Sequence, residues 1–128
     1  MLGLSLVAAF LSISAAVAPP DWAGAPRVEV ALSSFKYRPR TIRLPAGKPV
    51  VLHFVNTSGG GHDFTAPAFF AAAAVRPADR AALRGGRIDL KGGRSRDIAL
   101  VPKAGRYKVR CTHTLHSALG MTGEIVVE

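Results

Sequence analysis

Cys111, His113, His116 and Met121 lie together in the stretch CTHTLHSALGM, and each offers a side chain that a metal of intermediate softness can bind. Cys111 is the only cysteine of the chain, and Met121 is its only methionine besides Met1. Copper that cycles between Cu(I) and Cu(II) needs soft and borderline donors together. Two imidazoles and a thiolate in one plane, with a long weak thioether on the axis, meet that need. The thiolate bond is strong, while the weak axial bond denies the oxidised ion its preferred tetragonal geometry. Little then rearranges when an electron moves. Cys111, His116 and Met121 have the spacing C-x4-H-x4-M, which lets one tight loop fold around a single ion. A second imidazole must come from elsewhere, and His62, directly after the glycines at 59–61, is the candidate.

Other histidines are weaker candidates. His113 lies two residues from Cys111 on one short extended stretch, with little room for both to close around an ion. It reads as a supporting or surface residue. His53 alternates with Leu52 and Phe54 and reads as a strand-face residue. The plainer alternatives are a buried, inert Cys111 and a gap-filling Met121.

To hold such a loop, the chain must supply a rigid frame. From Arg27 onward it reads as short strands separated by turns. RVEVALSSF alternates, with Val28, Val30 and Leu32 on one side; TIRL closes at Pro45-Ala46-Gly47. PVVLHFVN places Val50, Leu52 and Phe54 on one face and Val51, His53 and Val55 on the other. HDFTA, RIDL, SRDIAL, RYKVRC and TGEIVVE follow, punctuated by Gly and Pro. Strands at this spacing imply an all-β fold, an antiparallel sandwich or barrel. One segment departs from the pattern: PAFFAAAAVRPADRAALRGG is alanine-rich and predicts one or two short helices, with Pro77 in a first turn and Gly85 beyond the last. Phe69 and Phe70 would hold this insertion to the sandwich.

The 128 residues suit one domain. The first eighteen carry no charged side chain, and Ser14-Ala15-Ala16 and Ala16-Val17-Ala18 fit the small-x-small pattern of signal-peptide cleavage. With Pro19 resisting a cut after Ala18, cleavage is expected after Ala16, making 1–16 a signal peptide, 17–26 an irregular leader and 27–128 the domain. An uncleaved anchor is the rival, since the apolar run approaches the ~20 residues that span a bilayer. Either way the domain lies outside the cytoplasm, periplasmic or secreted. A lone thiol there cannot form an internal disulfide and needs protection, which a metal provides. Seventeen Lys and Arg against eight Asp and Glu give a formal charge of +9, a field favouring anionic partners. The cations are scattered and no nucleic-acid motif accompanies them, so nucleic acid is not an expected partner.

With these residues in place, the chain resembles the cupredoxins, the type 1 or blue copper proteins. FKYRPRTIRLPAGKPVVLHFVN is similar to their N-terminal strands, GHDF to their first-histidine loop, and AGRYKVRCTHTLHSALGMTGEIVVE to their copper loop and closing strand. The loop spacing is similar to that of the phytocyanins and one residue longer in its second gap than azurin's. The resemblance implies a Greek-key antiparallel β-sandwich holding one copper ion on His62, Cys111, His116 and Met121. It also implies a monomer that passes single electrons between larger redox proteins, the partner here bearing an acidic surface. The edge of His116 would face solvent among Leu115, Ala118 and Leu119, with Phe69 or Phe70 nearby, and Thr112 would donate a backbone N–H near the thiolate or across the ligand loops. One departure is Asp63, where the family commonly has Asn; a carboxylate can accept a hydrogen bond from the Cys loop but cannot donate one. The other classes to weigh are a copper carrier or tolerance protein without redox turnover, and a copper enzyme, which would need a further catalytic copper.

Overall fold

The computed structural model describes residues 3, 5–12, 18–113 and 120–128. Residues 5–12 take no regular structure, and Leu6, Val7, Phe10 and Leu11 are exposed. Among the described residues no helix is long and apolar enough to cross a membrane. The expected cleavage point after Ala16 lies outside the described residues.

Among the described residues, ten strands form two five-stranded sheets. In one the order is β2 (Lys36–Arg38), β1 (Arg27–Ser33), β4 (Val50–Asn56), β8 (Ser95–Val101) and β6 (Ala74–Val75). In the other it is β3 (Thr41–Leu44), β10 (Thr122–Val127), β9 (Gly105–Arg110), β5 (His62–Thr65) and β7 (Arg87–Leu90). The all-β sandwich is therefore as the alternation predicts. Two pairings run parallel, however: β1 with β4, and β3 with β10. Alternation has a period of two in either direction, so it carries no information on whether neighbours run parallel or antiparallel.

The inward rows meet as one core. Val30, Leu32, Leu52, Phe54, Ile98 and Leu100 come from the first sheet, and Ile42, Phe64, Ile88, Val109 and Ile125 from the second; none is more than 2% exposed. Burying a side chain of this kind contributes roughly 1.5–3 kcal/mol, so the rows fix the register: a slip of one residue would turn every one of them to solvent. Phe54 and Phe64 meet across the sheets with ring centroids 4.8 Å apart.

The alanine-rich segment forms α1 (Pro67–Ala72) and, after β6, a 3₁₀ helix (Pro77–Ala82), each opening on proline. Proline suits that position because its fixed φ is already helical and its missing N–H would have no partner. Phe69 packs on Tyr107 at 5.4 Å and Phe70 on Phe64 at 6.2 Å, anchoring the insertion as expected. Gly86 returns the chain at φ +72°, where a Cβ would lie 2.4 Å from the Pro67 Cα. Only glycine fits there.

Candidate metal centre

Three of the four expected donors lie together at one end of the sandwich. β5 pairs with β9 through Thr65 and Arg110, and β9 pairs with β10 through Arg110 and Thr122. One step beyond, the Cys111 N–H donates to the Met121 carbonyl at 3.1 Å, and the Asp63 N–H donates to Cys111 Sγ at 3.5 Å. The thiol thus sits between the strand that begins with His62 and the start of the closing strand. Cys111 and Met121 are fully buried and His62 nearly so. By alternation all three continue the inward rows of Phe64, Val109 and Ile125. His116, Leu115, Ala118 and Leu119 lie outside the described residues.

Asp63 ties these segments together through every polar group it has. Its N–H points at the thiol, and its carbonyl accepts the Tyr37 hydroxyl. Its carboxylate accepts the Thr112 N–H at 3.0 Å, the Thr112 hydroxyl at 2.6 Å and the Thr65 hydroxyl at 2.7 Å. The expectation that a carboxylate here acts as acceptor from the Cys loop holds, and Thr112 does donate across the two ligand segments. Carboxylate bonds of this kind contribute more than neutral ones, about 1.5–3 kcal/mol each.

Burial pushes the Cys111 thiol above its ordinary pKa, while N–H donation from Asp63 and His113 pulls the other way. Burial, with the nearby Cys111 and Asp63, also drives the Tyr37 hydroxyl far up, so it stays a donor. His113 sits on the outer side of this junction, with Nε2 3.6 Å from Asp63 Oδ2 and its ring centroid 6.3 Å from that of His62. Asp63 and Asp89 face each other in register, and their carboxylates and the His113 ring gather within 4.8 Å. His53 lies away from the site, on the outer face of the other sheet, where Nδ1 is 2.6 Å from Asp97.

Several residues of the site escaped the sequence reading. Asn56, fully buried, donates to the carbonyls of Gly60 (2.8 Å) and Leu90 (2.9 Å) and accepts from the Ser58 N–H (3.0 Å) and hydroxyl (2.8 Å). It therefore shapes the glycine turn that delivers His62. Its sequence signal is a polar residue ending an apolar strand just before Gly-Gly-Gly. Thr65 and Tyr37 carried no such signal. One expectation is corrected: Phe69 and Phe70 contribute nothing to an exposed apolar patch, because both are buried against the core. Their rings find more partners under the insertion than on the surface.

The donor chemistry fits copper. A buried thiol receiving two N–H groups is prepared to carry negative charge without water, beside a buried thioether and an imidazole. No curated protein matches the chain by sequence. Among solved structures it is similar to dithionite-reduced auracyanin from the photosynthetic bacterium Roseiflexus castenholzii, with 22% identity over 82% of this chain and 99% of that one and a TM-score of 0.57. It is similar to auracyanin B at 23% identity, covering 88% and 93% of the two chains with a TM-score of 0.60. McoA multicopper oxidase of the hyperthermophile Aquifex aeolicus is also similar, at 16% identity and a TM-score of 0.62, but only 34% of that chain is covered. At such identities these likenesses speak for the fold. The cupredoxin-like domain model matches residues 2–127, nearly the whole chain, and the protein accordingly belongs to the cupredoxin-like family.

Proposed function

We propose that the protein is an exported electron carrier, periplasmic or secreted, which holds one copper ion on His62, Cys111, His116 and Met121 and acts between larger redox proteins. The observation that carries this reading is the Cys111 thiol, buried, bonded by the Asp63 N–H and tied through its backbone to Met121. Copper bound there would supply one-electron chemistry by alternating between Cu(II) and Cu(I). The chain's own residues do the rest. The burial of Cys111 and Met121 excludes water, the N–H donors to sulfur stabilise the thiolate, and the Asp63 bonds hold the two ligand segments at fixed separation whichever charge the site carries. A site held this rigidly has little to reorganise, which favours transfer over storage. That distinguishes a carrier of electrons from a carrier of copper, which needs exchangeable ligands. The reading is of a non-enzymatic protein, since a copper enzyme would need a second, catalytic copper besides this one.

The test is spectroscopic. Cu(II) added to the apoprotein with its thiol reduced should give an intense blue or green band, and Cys111→Ser should abolish the colour while the fold persists. A colourless wild-type complex overturns the type 1 assignment.

A further inference from the structure

Charged side chains are arranged differently on the two outer faces of the sandwich. On the outside of the β1–β4–β8 sheet Arg27, His53 and Asp97 form one cluster, with Arg27 and His53 2.9 and 2.6 Å from the Asp97 carboxylate. On the outside of the other sheet Arg106, Lys108 and Arg110 alternate along β9 and are exposed. Arg40 joins them from the turn before β3, and the four line one groove with Thr41, Thr122 and Glu124. Arg106 is matched by Glu124 at 3.0 Å. Arg40, Lys108 and Arg110 form no ion pair among the described residues. Four cations thus share a concave surface with one carboxylate, and like charges this close repel unless an anion joins them.

We propose that this groove is the docking face for a carboxylate-rich surface of a protein partner. The identity of that partner as a redox protein rests on the electron-carrier reading; the binding itself does not. Three features favour a protein over other polyanions. No large apolar side chain of the groove is exposed that could enter a lipid surface; Leu6, Val7, Phe10, Leu11 and Phe35 are the exposed ones among the described residues. No ring is available to stack a base, since Tyr107 packs on Phe69 and its hydroxyl bonds the Lys103 carbonyl at 2.9 Å. Glu124 lies in register opposite Lys108, interrupting any continuous phosphate track but leaving room for discrete carboxylates beside the Thr41 and Thr122 hydroxyls. The position also suits the function. Arg110 is bonded directly to Cys111, so a partner seated there lies one residue from the thiol, on the outer side of the strand.

A polyglutamate peptide, titrated into apo and copper-loaded full-length protein and followed by amide NMR, tests this. Shifts should concentrate on 106–110 and 122–124, and affinity should fall at least about tenfold as salt rises from ~10 mM to ~100 mM, where the Debye length shrinks from ~30 to ~10 Å. Arg40→Gln/Lys108→Gln should weaken binding about tenfold. Lys48→Gln/Lys103→Gln removes the same charge from exposed turns at the other end and should change affinity less than about twofold. Equal losses in the two variants would reduce the effect to net charge and overturn the proposal. So would displacement of the peptide by millimolar phosphate, or tighter groove-dependent binding to vesicles of anionic phospholipid. A colourless copper complex that still binds polyglutamate in the groove would overturn the electron-carrier reading and leave the docking face standing.

Discussion

Replacing Asp63 with Asn isolates what a carboxylate does where the family commonly has an amide. The Asp63 side chain is almost wholly buried. Its own N–H lies 3.5 Å from Cys111 Sγ, which with ordinary covalent lengths puts the carboxylate no more than about 7 Å from the thiol. One charge at ~7 Å contributes about 0.6 kcal/mol in bulk water and about 2.4 kcal/mol at an effective dielectric of ~20. For a one-electron couple ~59 mV corresponds to ~1.4 kcal/mol, so the negative charge should favour Cu(II) by about 25–100 mV. Asp63→Asn should raise the reduction potential of the copper-loaded protein by that amount, measured by voltammetry. Stability should fall by about 1–2 kcal/mol, because charge-assisted bonds from Thr112 and Thr65 become neutral ones. Thr65→Val separates the two effects. It deletes one donor to Asp63 and leaves the charge in place, so it should lower the melting temperature while moving the potential little. An unchanged or lowered potential in Asp63→Asn would refute the electrostatic reasoning.

Three further outcomes are expected. His116→Gly should lose the visible band and regain it with exogenous imidazole, whereas His113→Gly should keep it; bleaching by His113→Gly alone would move the ligand to His113. Asn56→Ala leaves the buried Leu90 carbonyl without its side-chain donor and should cost about 1–3 kcal/mol in denaturant unfolding, with a broadened copper spectrum as the turn before His62 loosens. Arg27 above all holds the Asp97 carboxyl below its ordinary pKa, so its contribution to stability is present above that ordinary value and fades as pH falls through the lowered one. Asp97→Asn should therefore cost stability near neutrality, less than about 1 kcal/mol for so exposed a pair, and nothing in strong acid; a cost that grows in acid would refute the pairing.

Much of the frame was legible locally. The alternation in RVEVALS and VVLHFVN marks β1 and β4 because inward and outward environments repeat every two residues, and proline marks the starts of α1 and the 3₁₀ helix, as glycine marks turns, for reasons of φ alone. The donor set was legible too, since a thiol, a thioether and imidazoles have a metal chemistry that does not depend on where they lie. What tertiary structure decided is partnership. That β1 runs parallel to β4, and β3 to β10, follows from which edges meet when the sheets close, and no local pattern records it. Asp63 could have faced solvent; it is buried because β5 lies beside the end of β9, bringing Thr112 and Thr65 to its carboxylate. Asn56 reads as a turn residue until Leu90, from a different strand, arrives beside it. The cationic groove is likewise assembled from β9, β10 and the turn before β3, segments far apart in the chain that only strand pairing brings side by side.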